Sequence, residues 1–436
     1  MTTTYDPQHP KYLDEADVRD ELTRVYDLCV GCRLCFKFCT SFPTLFDMID
    51  RHDDQDAGRL TPAEQDQVID ECFQCKLCYV NCPYIPELHE WNLDFPRLML
   101  RADAMKYSND ITSTRSKATT QLLARTGLFG TIGTATAPLA NKAIHKPDSI
   151  VRKLLAKTTG ISSVRLLPPY AKQRFSTWFK NRQRVTAGEP QGSVTVFPTC
   201  LVEYQEPDIG KDLIKVYERN GLVCDISGAG CCGAPWLHAG DVEHFTKIAE
   251  KNVAVLAAEV RRGTEIVVPQ PTCGYVLKKD YVDYVGGQDA ELVAEHTFDA
   301  AEYLMKVHRG DDTSLDTDFH GETVEQVTYH TPCHLRAQNI GFKSRDLMKL
   351  TGAKVELVQQ CSGIDGMWGL RAENEHISLP IAGKLGEQIE RAGGDVVAGD
   401  CHLANTAIVE QTGRVARHPI QVIARAYGIP VEDGPR

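Results

Sequence analysis

Eight cysteines near the N-terminus fall into two identical motifs of the form C-x2-C-x2-C-x3-C. This spacing is typical of bacterial loops that bind 4Fe–4S clusters, in which three thiolates of one motif and the fourth of the other hold each cluster. The residues therefore predict two 4Fe–4S clusters. The expected ligands of cluster A (set A) are Cys29, Cys32, Cys35 and Cys82, and those of cluster B (set B) are Cys72, Cys75, Cys78 and Cys39.

Zinc is the alternative metal for these motifs. Structural zinc sites usually use pairs of C-x2-C separated by a longer loop, so two consecutive triples disfavour zinc. The second motif ends in Cys82-Pro83, as bacterial cluster loops do, whereas Cys39 is followed by Thr40. This departure leaves all eight sulfur ligands in place.

The C-terminal half contains an internal duplication in which cysteines follow corresponding strands. Apolar strands alternate with helices in both copies, which predicts parallel sheets with the cysteines at one edge. A metal site is expected in each copy, holding a further iron–sulfur cluster or zinc; an empty second site is the alternative. The first copy offers Cys200, Cys231, Cys232 and Cys273; the second offers Cys333, Cys361 and Cys401, with His334, Ser362 or His402 as a fourth ligand.

These patterns predict an α+β multidomain chain of 436 residues. A helical two-cluster ferredoxin-type module is expected at residues 1–100, followed by a basic connector at 101–190. Two duplicated α/β domains with parallel sheets are expected at 191–315 and 316–436. Cys224 lies within an apolar strand and is predicted to be a buried core thiol rather than a ligand.

The connector differs in charge from the rest of the chain. It carries 16 Lys and Arg against three acids between residues 101 and 184, a net charge of +13, while the whole chain is at −11. Phe175, Trp178 and Phe179 share one helical face among basic residues, a pattern typical of a helix lying in a membrane interface. Docking to a partner and a structural linker are the alternatives. Nucleic-acid binding is not expected, because the domains are acidic and contain no recognised module.

Location and cofactor class follow from further patterns. No apolar run approaches the roughly 18 residues that span a bilayer, and the N-terminus resembles no secretory signal. Thiolate ligands require a reducing compartment, so a cytoplasmic protein is expected, peripheral attachment to the cytoplasmic membrane being possible. Neither a dinucleotide-binding G-x-G-x-x-G nor a Walker loop is present, so the chain is not expected to bind FAD or NAD itself.

The two motifs, the CCG sequence at Cys231 and the YHTPCHL sequence at Tyr329 resemble a known family. Its members join two ferredoxin motifs to two CCG, or cysteine-rich, domains. They include subunits of heterodisulfide reductases, of glycolate- and lactate-oxidising complexes and of anaerobic glycerol-3-phosphate dehydrogenase, whose C subunit this chain resembles. The resemblance implies an iron–sulfur subunit that passes electrons from a flavin-containing dehydrogenase subunit towards membrane quinone and is not catalytic alone.

Two other functions stay open. Complete CCG motifs contain five cysteines, and in heterodisulfide reductases they act on disulfides. Here Val276 and Ala404 replace the fifth cysteine of each copy and Ser362 replaces another, which disfavours a heterodisulfide or thiol reductase. The third hypothesis is a soluble redox adaptor that feeds a diiron, peroxide-reducing partner.

Overall fold

A computed structural model describes residues 4–184 and 189–432. The described residues form two compact units. The N-terminal unit contains residues 4–121 together with Pro235–Thr246, and the α/β unit contains the remainder. The sequence did not predict that residues 235–246 belong to the N-terminal unit, since they follow a strand of the first repeat. The domain boundaries expected at 100, 190 and 315 stay predictions.

The N-terminal unit is helical, as expected. Thr61 and Glu64 form a capping box around the N-terminus of its third helix, and Pro62 occupies the first turn, so the local sequence fixes where this helix begins. Arg101 is fully buried and ties the unit together by donating to the Asp17 carboxylate at 2.8 Å. The main helices are α1 (Glu15–Cys32), α2 (Ser41–Ile49), α3 (Pro62–Asp70), α4 (Leu77–Asn81) and α5 (Phe95–Ser108).

Among the described residues, five helices follow before the first strand. In the second of them, glycines allow close packing of aromatic rings: a Cβ at Gly130 would lie 2.4 Å from the ring of Tyr204, and one at Gly133 would lie 2.5 Å from Tyr170. That helix therefore packs one face closely against other segments of the α/β unit, to which it belongs. The five helices are α6 (Thr114–Ala124), α7 (Thr126–Ala135), α8 (Ala137–Ile144), α9 (Ile150–Thr159) and α10 (Phe175–Asn181).

Helix α10 corrects a prediction made from its amphipathic pattern. Phe175 and Phe179 are buried in the core of the α/β unit, and Trp178 packs against the same core. Phe175 fills the space above Gly210, where a Cβ would lie 2.7 Å from its ring. The interpretation of this face as a membrane-interface surface is therefore wrong. The helix is a structural element whose aromatic face is covered by the protein itself.

The first α/β repeat alternates strands with helices. Its elements are β1 (Gly192–Val196), α11 (Cys200–Tyr204), α12 (Pro207–Arg219), β2 (Leu222–Ile226), α13 (Ala234–Leu237), α14 (Val242–Arg261), β3 (Glu265–Val268), α15 (Pro271–Tyr275), a π-helix (Val276–Asp280), α16 (Tyr281–Tyr284), α17 (Gly287–Glu295), β4 (Thr297–Asp299) and α18 (Ala300–Arg309).

The second repeat follows the same plan. Its elements are β5 (Gln326–His330), α19 (Cys333–Ala337), α20 (Lys343–Lys349), β6 (Lys354–Val358), α21 (Glu375–Ala392), β7 (Val396–Gly399), α22 (His402–Thr412), β8 (Ala416–Arg417) and α23 (Pro419–Ala426).

Each repeat forms a four-stranded parallel sheet, with the order β2-β1-β3-β4 in the first and β6-β5-β7-β8 in the second. The identical order confirms the predicted duplication and the parallel sheets. In the first sheet Val194 pairs with Cys224, whose side chain is 2% exposed, so the prediction of a buried core thiol is confirmed. Cysteines of both repeats lie just after the carboxyl ends of strands, the edge at which open parallel sheets bind ligands.

Buried His418 predicts a pH-dependent stability. Its Nδ1 accepts from the Ile420 N–H at 3.2 Å and caps α23, and burial lowers its pKa to about 3. The unfolded chain gains a proton below a pH of about 6.5 while the folded chain does not, so stability is lost as the pH falls. Between pH 7.5 and 5.5, wild type should lose about 1 kcal/mol more unfolding free energy than His418→Asn, which keeps a capping side chain.

Urea unfolding of anaerobic protein, followed by circular dichroism, measures this difference. His376→Asn is the control, because His376 is exposed and should leave the pH dependence unchanged. An equal loss of stability in wild type and His418→Asn would show that His418 titrates alike in the folded and unfolded states.

Candidate metal centres

The set A cysteines line one cavity of the N-terminal unit. Helix α1 supplies Cys29 and ends at Cys32, where Arg33 adopts a left-handed conformation (φ 54°) and turns the chain. Cys82 lies at the C-terminus of α4. This cavity, cavity A, has a volume of about 440 Å³ including its open mouth. Its walls include Cys29, Cys32, Cys35, Cys82 and Cys78.

The set B cysteines line a second cavity of about 300 Å³, cavity B. Its walls include Cys39, Cys72, Cys75 and Cys78, together with Gln74 and Lys76. The two cavities thus divide the eight cysteines into the sets expected for crossed ligation, with Cys78 on the boundary between them. Phe42 and Phe95 also line both cavities. Ligation by these two sets stays a prediction.

The electrostatics of the buried thiols in these two motifs favour a cationic centre. Burial raises the pKa of Cys29, and the charges of Cys35 and Cys82 raise it further. The pKa of Cys39 rises to about 12, again through burial and then through the charge of Cys75. Thiolates crowded in an apolar interior are unstable without a positive charge between them, and iron supplies that charge. The donor set fits two iron–sulfur clusters.

The four first-repeat cysteines form a contiguous group. Cys200 begins α11 after β1, Cys231 and Cys232 follow β2, and Cys273 lies in α15 after β3. Hydrogen bonds from Cys200 and Cys232 lower the pKa of Cys231 well below its ordinary value, and the reciprocal bond from Cys231 raises the pKa of Cys232. Four thiols lie at the ends of three adjacent parallel strands. Four cysteine ligands suit an iron–sulfur cluster and a zinc ion equally well.

Two residues that the sequence analysis missed hold the Cys231–Cys232 loop. Asn252 accepts from the Gly230 N–H and donates to the Cys231 carbonyl, both at 2.9 Å. The Tyr281 hydroxyl donates to the Cys232 carbonyl at 3.0 Å. In the same loop the Gly233 N–H bonds the Cys231 sulfur, whereas the Gly230 N–H is used by Asn252. Nothing in the sequence distinguished Asn252 or Tyr281 from ordinary helical residues.

The second-repeat cysteines show a different environment. The Cys401 sulfur accepts from Gln270 Nε2 at 3.1 Å, and burial raises the pKa of Cys401 to about 11. Cys361 accepts from the Gly363 N–H at 3.3 Å. Cys333 begins α19 after β5. Among residues 4–184 and 189–432, no three His, Cys, Asp or Glu side chains form a ready-made site for a metal ion.

The three proposed fourth ligands also differ. His334 Nδ1 lies 3.0 Å from the Thr272 hydroxyl and 3.8 Å from an Asp365 carboxylate oxygen, so it already has polar neighbours. His402 is held neutral, because burial lowers its pKa to about 4, and its Nε2 is buried without a hydrogen bond to any described residue. Ser362 lies in the loop after β6. Of the three, His402 is the best suited as a metal ligand, because its ring is neutral and its Nε2 makes no hydrogen bond to a described residue.

The helical unit with eight cysteines and the duplicated α/β unit together define a class of cysteine-rich redox protein. The "Cysteine-rich domain" family model matches residues 194–278 and 327–405. The C subunit of anaerobic glycerol-3-phosphate dehydrogenase from Escherichia coli is 31% identical over 327 residues, which cover 72% of this chain and 78% of that protein. The chain therefore belongs to the family of iron–sulfur oxidoreductase proteins with CCG domains that includes this dehydrogenase component.

Two further relatives cover smaller parts of the chain. The B subunit of a fumarate reductase (CoM/CoB) from Methanothermobacter marburgensis is 30% identical over 50% of this chain and 42% of its own length. Lactate utilization protein A from Geobacillus kaustophilus is 28% identical over 53% of this chain and 95% of its own length.

Pairs of cysteine variants test the crossed ligand sets. If Cys29 and Cys82 hold the same cluster, then Cys29→Ser, Cys82→Ser and the double variant should each lose about four irons relative to wild type and keep the same remaining EPR signals. Cys39→Ser and Cys72→Ser should behave alike in the other set.

Iron analysis and low-temperature EPR of anaerobically purified variants measure the outcome. Cys224→Ser is the control, because this buried thiol lies in β2 and should leave the iron content unchanged. Loss of both signals in the Cys29/Cys82 double variant would mean that each motif supplies all four ligands of its own cluster.

Proposed function

We propose that the chain is the electron-transfer subunit of a dehydrogenase complex, which receives electrons from a flavin-containing subunit and delivers them to quinone at the membrane. The observation that supports this proposal is the pair of adjacent thiol-lined cavities within one apolar core. Bound 4Fe–4S clusters would supply one-electron oxidation and reduction. The family relation also supports electron transfer, since the relatives are named as components of a dehydrogenase and a reductase.

The residues between the two cavities suit electron transfer because they are apolar and bring the two sites close. Phe42 and Phe95 are buried, their ring centroids lie 4.6 Å apart, and both rings line both cavities. With Cys78 they form the whole boundary that the two cavities share. An apolar boundary of one residue layer keeps the two redox sites adjacent.

The α/β unit favours this function over a thiol reductase. Val276 is buried in the π-helix and Ala404 is buried in α22, in the positions where complete CCG motifs have a fifth cysteine. Both positions are filled by apolar side chains that pack in the core. Neither repeat therefore offers five thiols for a disulfide-cleaving centre.

Membrane association is proposed to use helices α7 to α9 rather than α10. Leu128 and Ile132 on α7 are 52% and 50% exposed, and Leu139 on α8 is 74% exposed. On α9, Ile150 and Leu154 are 86% and 62% exposed, and exposed Lys153 and Lys157 flank them. Exposed apolar side chains interspersed with lysines suit the surface of an anionic bilayer. Within the described residues, no helix has the length and apolar character needed to cross a bilayer.

Iron analysis tests the electron-transfer proposal directly. Anaerobically purified chain should contain about eight irons and as much acid-labile sulfide if the N-terminal unit alone is filled, and about twelve if the first repeat also holds a cluster. Low-temperature EPR of the dithionite-reduced chain should show the signals of reduced 4Fe–4S clusters. A colourless chain, or one with zinc in place of iron, would contradict the proposal.

Liposome flotation tests the membrane surface. The Leu128→Ser/Ile132→Ser/Leu154→Ser variant should bind vesicles of phosphatidylethanolamine and phosphatidylglycerol at least tenfold more weakly, because each leucine or isoleucine contributes about 1.5–3 kcal/mol when fully buried. The Val415→Ser variant is the control, since Val415 is 69% exposed in the second repeat. Equal flotation of the triple variant and wild type would show that these helices are not the membrane-binding surface.

A further inference from the structure

An aromatic loop connects cavity A with the protein surface. This aromatic loop, residues 83–91, follows Cys82 and precedes α5. Tyr84 lines cavity A, and its backbone N–H donates to the Cys82 sulfur at 3.4 Å. The centroid of the Tyr84 ring lies 4.7 Å from that of the Trp91 ring, and Trp91 is 40% exposed. Two neighbouring rings therefore lead from a set A sulfur to solvent.

Hydrogen bonds and ring contacts hold the aromatic loop against α1. The Trp91 N–H donates to His89 Nδ1 at 3.1 Å, and the centroids of the two rings lie 4.6 Å apart. The Trp91 carbonyl accepts from Arg24 Nη1 at 2.9 Å, and Arg24 is paired with the buried carboxylate of Glu21. The partial exposure of Trp91 is therefore a feature of the folded loop.

Cavity A reaches the surface more directly than cavity B does. Leu34 and Pro83 line cavity A and are exposed, whereas the residues that line cavity B are all buried or partly buried. Arg33 is the basic residue in the wall of cavity A, and its guanidinium is paired with Asp50. A protein that approaches the N-terminal unit from solvent therefore has a more direct path to the set A cysteines than to the set B cysteines.

The exposed part of the aromatic loop combines apolar and acidic side chains. Leu88 is 68% exposed, and Glu87 and Glu90, which flank it in the sequence, are also exposed. The segment 77–96 contains no lysine or arginine. Exposed Trp and Leu side chains suit a protein interface, in which Trp often contributes strongly to affinity. The carboxylates disfavour an anionic bilayer and favour a protein with basic residues at its surface.

We propose that the aromatic loop is the docking surface for the protein that exchanges electrons with the set A site. The partner that fits this surface has basic residues around an exposed edge of its own redox cofactor. One electron passes in each encounter, so the cofactor of the partner is oxidised as the set A site is reduced, or the reverse. This inference rests on the proposed function, in which the partner is the flavin-containing subunit.

Reduction of two electron acceptors by the full chain tests the inference. Cytochrome c, a basic protein with an exposed haem edge, is the probe for the partner, and ferricyanide is a small acceptor that needs no docking surface. Each accepts one electron from anaerobic chain that has been reduced with dithionite and freed of excess reductant. Stopped-flow absorbance measures the second-order rate constant for each acceptor.

Leu88→Ser and Glu90→Gln should each lower the rate constant for cytochrome c by about threefold at low ionic strength and leave that for ferricyanide unchanged. Glu90→Gln should also weaken the dependence of the cytochrome c rate on added salt, because it removes an attractive charge. Val415→Ser and Glu390→Gln are the matched controls. Both residues are exposed in the second repeat, so these variants should change neither rate constant.

Trp91→Ser removes the outer ring and should slow cytochrome c reduction more than Leu88→Ser does. If this variant loses iron, Leu88→Ser and Glu90→Gln still decide the outcome. The inference is wrong if these two variants reduce cytochrome c as fast as wild type, or if they slow both acceptors equally. It is also wrong if Leu88→Ser weakens binding to phosphatidylglycerol vesicles but not cytochrome c reduction, which would assign the loop to the membrane.

The iron content and the small acceptor separate this inference from the proposed function. Wild type that contains about eight irons and reduces ferricyanide but not cytochrome c overturns the docking surface alone. Wild type that lacks iron overturns the electron-transfer proposal itself.

Discussion

The need to neutralise buried thiolates constrains the N-terminal unit more than any other interaction. Burial raises the pKa of Cys29, Cys72 and Cys78, and in each case other cysteine charges raise it further. A protein interior that gathers such sulfurs without a compensating cation loses the advantage of its own apolar packing. The helices around them bury phenylalanines and aliphatic residues up to the cavity walls, so the sulfurs and the core belong to one cluster of packed side chains. The metal that neutralises the thiolates is therefore expected to contribute to the stability of the unit as well as to its redox chemistry.

The α/β unit also brings several cysteine thiols together, but it does so at the edge of a parallel sheet. Parallel strands bring three separate segments of the chain to one sheet edge, and the first repeat places four cysteines there. The sheet edge alone does not fix a loop as short as Cys231–Cys232. Without side-chain partners, the backbone groups of that loop would face water. Asn252 from α14 and Tyr281 from α16 bond the carbonyls of that loop and each other, at 2.9 Å between Asn252 Nδ2 and the Tyr281 hydroxyl. Such partners orient metal ligands without touching the metal.

Residue spacing predicted the features that depend on local sequence. The cysteine motifs, the strands of each repeat and the buried Cys224 all follow from short local patterns, and the duplication follows from their recurrence along the chain. The aromatic face of α10 was misjudged because periodicity shows that a face is apolar but not which surface covers it. The core of the α/β unit, which includes Val202 and Leu213, covers that face. Likewise, Arg152 and Arg165 contribute to the basic connector in sequence, yet both are fully buried; Arg152 donates to backbone carbonyls and Arg165 pairs with Glu410. The charge of the connector surface is therefore smaller than its composition predicts.

The second repeat shows how a duplicated site diverges while its fold is retained. Its sheet has the strand order of the first, but Cys401 is bonded by Gln270, a residue of the first repeat that lies three positions before Cys273. Gln270 also accepts from the His402 N–H, and Thr272 contacts His334. The segment 270–273 thus supplies a thiol to the first site and hydrogen-bond partners to the second. A substitution in this segment therefore acts on both sites. The contacts made by the second repeat restrict this segment of the first repeat, although the second repeat has itself lost cysteines.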